Sequence, residues 1–127
     1  MAFRILPGVL GAFFLLQGLM WLADPGGAAE GLGMPLLEGV GRSSQIGDVS
    51  GFFLCLGGFA LYGAIRVKPD FIRCAAFLVG SVAVTRTIAW AAHGAAFTTQ
   101  FIVIEVVCGT LLLLSAARLD TTGEANA

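Results

Sequence analysis

An all-α fold is expected: four transmembrane helices in an antiparallel up-down bundle, with a longer external loop between the first two. Three observations carry this expectation. The 127 residues are 57% hydrophobic and 12% charged, against roughly 25% charged in a soluble domain. The apolar residues fall into four runs near the length, about 20 residues, that crosses a bilayer as a helix. Turn-forming or polar stretches separate those runs, namely Asp24-Pro25-Gly26-Gly27, Arg66-Val67-Lys68-Pro69-Asp70 and His93-Gly94.

The first span is read over residues 5–22, with Pro7 in its first turn, where a missing N–H costs nothing. Arg4 before an apolar run also fits a secretory signal. The run is long for one, however, and no small-x-small cleavage site follows closely, so the span is expected to stay in place. Gln17 is its one strongly polar side chain. Asp24-Pro25-Gly26-Gly27 ends it. Residues 23–46 are Gly-rich but hold Leu32, Met34, Leu36, Leu37 and Val40, and read as a loop with short helical or re-entrant pieces at the membrane surface, a connector ahead of the alternative, a cap on the bundle.

The second span covers about residues 47–65. Asp48, Gly51, Cys55, Gly58 and Tyr62 recur at helical spacing, and Gly51, Cys55 and Gly58 read as a helix-packing seam, flanked by Gly57, Ala60 and Gly63. Small residues on one face let two backbones approach closely within lipid. Pro69 breaks the helix inside a short basic connection. The third span runs over about 71–92 and the fourth over about 98–117. Residues 1–120 thus form one membrane domain, followed by a polar tail over 121–127.

Charge sets the expected orientation. Arg4, Arg66, Lys68, Arg73 and Arg118 fall on one side of a zigzag of four helices, while Arg42 shares the opposite side with Asp24, Glu30 and Glu38. The positive-inside rule then places both termini in the cytoplasm. Trp21 and Trp90 fall near the external interface and Tyr62 near the internal one, as interfacial aromatics do.

Two charges lie inside the apolar runs. Arg86 sits seven residues before His93 and Glu105 seven after Thr98. At a rise of about 1.5 Å per residue both are roughly 10 Å below the external end of their helices. The helices are joined by a short turn and must be antiparallel neighbours, so the two charges share one level. An intramembrane charge is costly and has a partner, and Arg86–Glu105 is the expected pair. Arginine offers five donors, for which Gln17 and Asp48 are further acceptors, completing a polar layer of Arg86, Glu105, Gln17 and Asp48. Trp90 and His93 share the face of Arg86 and are read as its rim. The layer is either a staple that fixes helix register or a polar pocket that takes a small ligand.

Other chemistries find little support. The net charge of -1 offers nothing to nucleic acid. Cys55, Cys74 and Cys108 match no metal spacing and read as packing residues. One histidine cannot supply both axial ligands of a haem. No nucleotide loop, HExxH, CxxC or GxSxG occurs. No catalytic, cofactor or metal residue is therefore assigned, and no cofactor is expected.

Asp48-x-Ser50-Gly51, Gly57-Gly58, Arg86 with His93-Gly94, and Glu105, set on four short helices, resemble a group of small uncharacterised bacterial inner-membrane proteins. That group is similar in layout to DoxX-like membrane proteins. The resemblance covers about residues 5–118 and implies the four-helix fold and the polar layer without supplying a reaction. The leading expectation is a non-catalytic accessory or assembly subunit that meets other membrane proteins, or copies of itself, within the bilayer. A small carrier or ligand-binding bundle centred on Arg86 and Glu105 comes second, and a membrane redox protein third.

Overall fold

The computed structural model describes residues 2–124, and the side chains of residues 3–121. Within them every regular element is an α-helix: α1 (Ala2–Ala23), α2 (Pro25–Gly31), α3 (Gly39–Arg66), α4 (Pro69–His93) and α5 (Thr99–Glu124). The four long helices are each apolar and long enough to cross a membrane. They form a ring in which α1 packs on α3, α3 on α4, α4 on α5 and α5 back on α1. Consecutive long helices alternate in direction. The outer surface carries large apolar side chains, with Phe77 74% and Val9 61% exposed. Water would penalise that exposure; a bilayer would not.

Helix ends follow local chemistry. Asp24 accepts a hydrogen bond from the Gly27 N–H at 3.1 Å, and Pro25 occupies the first turn, so the stretch that ends α1 also starts α2. The α3–α4 turn is two residues long, with Val67 in the left-handed region at φ 54. Val67 pays conformational strain there, since a β-branched residue rarely adopts that region. Gly94 closes α4 at φ 66 without that strain.

Three boundaries differ from the sequence reading. α1 begins at Ala2, which puts Pro7 inside the helix, where it is buried. The helix start is anchored by Arg4, which donates to the carbonyls of Ala64 and Ile65 at the end of α3, both at 3.0 Å. α3 begins two turns before residue 47. Its weak helix formers Gly39, Gly41, Ser43 and Ser44 are held by side-chain bonds to the preceding loop. Gln45 accepts from the Leu37 N–H at 2.9 Å and donates to the Pro35 carbonyl at 3.0 Å, and Arg42 donates to the Leu37 carbonyl at 2.8 Å. α5 continues through residues 121–124, which the sequence reading gave to the tail; residues 125–127 lie outside the described residues. Asp120 pairs with Arg73 of α4, and Leu119 is only 8% exposed, so the helix is packed and charge-paired as far as residue 120.

The core occupies the half of the bundle nearest the termini. Leu56, Ala60, Ile72, Ala75, Ala76, Leu112 and Ala116 interlock there. The α1–α3 contact is the closest approach. A Cβ on Gly57 would lie 2.5 Å from the Leu15 nitrogen, and one on Gly11 would lie 2.6 Å from the Leu61 nitrogen. Gly57, Ala60 and Ala64 are therefore the α3 side of the seam, with Gly11 and Gly18 opposite. The stripe Gly51, Cys55 and Gly58 takes no part in this contact within the chain. Gly51 and Gly58 have nothing within 4 Å of a would-be Cβ, and Cys55 is exposed, so that stripe faces away from the chain's own core.

Candidate functional site: a polar-ended cavity in the half of the bundle away from the termini

Past the core, toward the end opposite the termini, the ring of helices encloses a cavity of about 430 Å³. Each long helix contributes one polar residue and, one turn away at i and i+4, an apolar one: Phe13 and Gln17, Asp48 and Phe52, Val82 and Arg86, Phe101 and Glu105. Residues four apart share a helix face, so each helix turns the same kind of face inward. Phe14, Phe53 and Leu56 line the inner part, and Gly31, Leu32 and Met34 from α2 and the following loop lie over it. The segment read as a connector is a cap. Ala29 of α2 is fully buried, and Gly33, in the left-handed region at φ 71, turns the chain back so that the Met34 N–H reaches the Ala29 carbonyl at 3.0 Å.

At one side of the cavity, Arg86 Nε donates to Glu105 Oε1 at 2.7 Å. The guanidinium carbon lies 5.0 Å from the centre of the Phe101 ring, where the ring's negative face favours a cation. The Glu105 side chain is 12% exposed and that of Arg86 31%. The pair does not satisfy itself, because Glu105 Oε2 is buried with no hydrogen-bond partner. Among the described residues no hydrogen bond joins Gln17 or Asp48 to Arg86. The four residues of the polar layer thus share one cavity, with Gln17 and Asp48 not hydrogen-bonded to Arg86. Gln17 is half-buried and also borders a neighbouring cavity of about 290 Å³ beside Trp21. Asp48, Phe13 and Ile104 line the main cavity and are exposed, so it communicates with the outside.

Neither residue of the expected rim lines the cavity. Trp90 is half-exposed and meets Phe97 edge-on at 5.0 Å, and His93 is exposed at the end of α4. Both lie on α4 one and two turns beyond Arg86, past the last α4 residue that lines the cavity. Trp21, near the end of α1, is 1% exposed and packs inward beneath α2. Sequence reasoning missed the aromatic wall. Its signal was the doublets Phe13-Phe14 and Phe52-Phe53 at helical spacing from Gln17 and Asp48.

The cysteines are unpaired, with Cys55 and Cys74 exposed and Cys108 half-buried, and no group of three or more His, Cys, Asp or Glu among the described residues is placed to hold a metal. Thr85 and Thr87 bond carbonyls of their own helix, at Val82 and Ala83, and stay out of the cavity.

Fold and site together define a small all-helical membrane protein with four apolar helices around a polar-ended cavity. Residues 2–116 match the family described as a domain of unknown function, DUF4345, and the chain belongs to that family. The match agrees with an uncharacterised family and does not extend to DoxX-like proteins. No curated protein and no solved structure matches the chain.

Proposed function

We infer that this protein is a non-catalytic, multi-pass protein of the bacterial inner membrane that binds a small molecule in the outer half of its bundle. The single observation behind this reading is the cavity itself. Gln17, Asp48, Arg86 and Glu105 all line one space of about 430 Å³, and Glu105 keeps a buried oxygen with no hydrogen-bond partner beside it. Ligand sites are commonly 300–1,000 Å³, mostly apolar, with a few convergent polar groups. A pure staple has no use for the space and would leave fewer polar atoms unsatisfied. Arg4, Arg66, Lys68, Arg73 and Arg118 at the other end of the bundle support cytoplasmic termini and a cavity facing outward.

An accessory-subunit role has one observation in its favour. The small-residue face Gly51–Cys55–Gly58 is left open by the chain's own packing and suits a close-approaching helix of another subunit or copy.

Extraction in mild detergent followed by native mass spectrometry tests both. A stoichiometric small molecule retained by the wild type and lost in Val82→Trp, which fills the cavity, is the expected result. A lone, ligand-free monomer under gentle conditions would overturn both readings, and a defined partner with no small molecule would favour the subunit.

A further inference from the structure

The geometry points to a neutral, hydroxyl-bearing aromatic compound, a phenol with an apolar substituent, as the class of molecule this cavity takes. The inference rests on the ligand-binding reading above and specifies its chemistry. Three features select the class: which hydrogen-bonding groups are unused, what net charge they carry, and what covers the walls.

Arg86 uses Nε on Glu105, and no hydrogen bond engages its terminal nitrogens among the described residues. The guanidinium therefore has donors to spare at the cavity wall. Glu105 has the complementary deficit, an oxygen with no donor. That oxygen is covered as the chain stands, and Glu105 itself lines the cavity. The terminal carboxylate torsion is broad, and binding on this proposal turns an oxygen toward the space. A head group that fits both needs must accept from Arg86 and donate to Glu105. A hydroxyl does both through one atom.

Charge argues against the ionic alternatives. Arg86 and Glu105 offset one another, which leaves Asp48 as the unbalanced charge of the lining. An anion meets two carboxylates for one arginine. A cation is drawn only to Asp48, which is exposed and therefore screened, and must approach the Arg86 guanidinium to reach Glu105. A neutral head escapes both penalties and is the least costly to bury.

The walls select an aromatic body. Phe13, Phe14, Phe52, Phe53 and Phe101 all line the space. The Phe14 and Phe53 rings run nearly parallel, 6.1 Å apart at 19°, while Phe13 and Phe52 stand edge-on to them. Such a mixture of ring faces and edges accepts a further ring by stacking or edge contact. A straight alkyl chain gains no such preference.

The test titrates the full chain in nanodiscs with para-hexylphenol, with its methyl ether, and with the matching benzylammonium and benzoate, each corrected for partitioning into protein-free nanodiscs. The phenol is expected to bind at least about tenfold more tightly than its ether, because the ether leaves the Glu105 acceptor unsatisfied. In Glu105→Gln the single amide oxygen remains with Arg86, so the preference is expected to fall below about threefold. The wild-type comparison needs no variant and stands if Glu105→Gln misfolds. Equal binding of phenol and ether, a preference unchanged in Glu105→Gln, or tighter binding of either ion would overturn the assigned class while leaving a ligand-binding bundle. No saturable binding of any of the four probes would overturn this inference, and the absence of a co-purifying molecule is what separately removes the ligand-binding reading.

Discussion

Arg86 and Glu105 pay the cost of lying inside apolar helices in two ways: a 2.7 Å charge-assisted bond, and a guanidinium set over the Phe101 ring. Removing one partner leaves the other charge in a poorly hydrated wall. Truncating a fully buried pair costs about 3–5 kcal/mol, and the partial exposure of Arg86 lowers that here. Arg86→Ala and Glu105→Ala are each expected to cost about 1–3 kcal/mol of stability in thermal or denaturant unfolding in detergent. Exchanging the charges, Arg86→Glu with Glu105→Arg, restores part of the loss. A Glu105→Ala protein as stable as wild type would show that the bond contributes nothing to the fold.

At the scale of elements, the α1–α3 contact decides how the bundle closes. Gly57 and Gly58 are adjacent in sequence and differ completely in surroundings. A Cβ at Gly57 would strike backbone atoms of α1, the Leu15 nitrogen at 2.5 Å and the Gly11 carbonyl oxygen at 2.6 Å, whereas Gly58 opens onto space. Backbone cannot move aside as a flexible side chain does. Gly57→Leu is expected to separate the helices and lower stability by about 2 kcal/mol or more, as overpacking does, while Gly58→Leu leaves unfolding of the lone chain nearly unchanged. Equal effects of the two substitutions would remove the seam assigned here. The α2 cap is a second such element. A seven-residue helix is too short to persist alone. It stands because Asp24 caps one end and Gly33 turns the other.

For the whole molecule, the packed half and the hollow half follow from side-chain size. Alanine and glycine at Ala60, Gly63, Ala64, Ala75, Ala76 and Ala116 draw the helices together near the termini. The larger Phe13, Phe14, Phe52, Phe53 and Phe101 hold them apart beyond Leu56. Cationic residues gather at the packed end, where Arg4 caps α3, Arg73 bridges Asp70 and Asp120, and Arg118 lies over Phe3. On the proposed orientation, single cysteines placed at Glu38 in a background without Cys55, Cys74 and Cys108 label from outside intact cells with an impermeant reagent. Cysteines placed at Lys68 label only after lysis. The reverse pattern would invert the protein in its membrane.

Four helices, their alternation and the level shared by Arg86 and Glu105 were legible in the chain itself, because run length, turn chemistry and helical rise are local or one-dimensional quantities. The Asp24-Pro25-Gly26-Gly27 break and the depth of Arg86 needed no knowledge of neighbours. Tertiary structure alone decided which stripe of α3 meets α1, that residues 25–37 close over the bundle, that Trp21 is buried, and that the polar layer surrounds a cavity. The reason is physical. On a helix whose every face is apolar or small, periodicity does not say which face is inward, and lipid tolerates either. Only the fit of neighbouring helices, Gly57 against Gly11 and Phe14 against Phe53, settles the rotation and leaves the space beside Glu105 open.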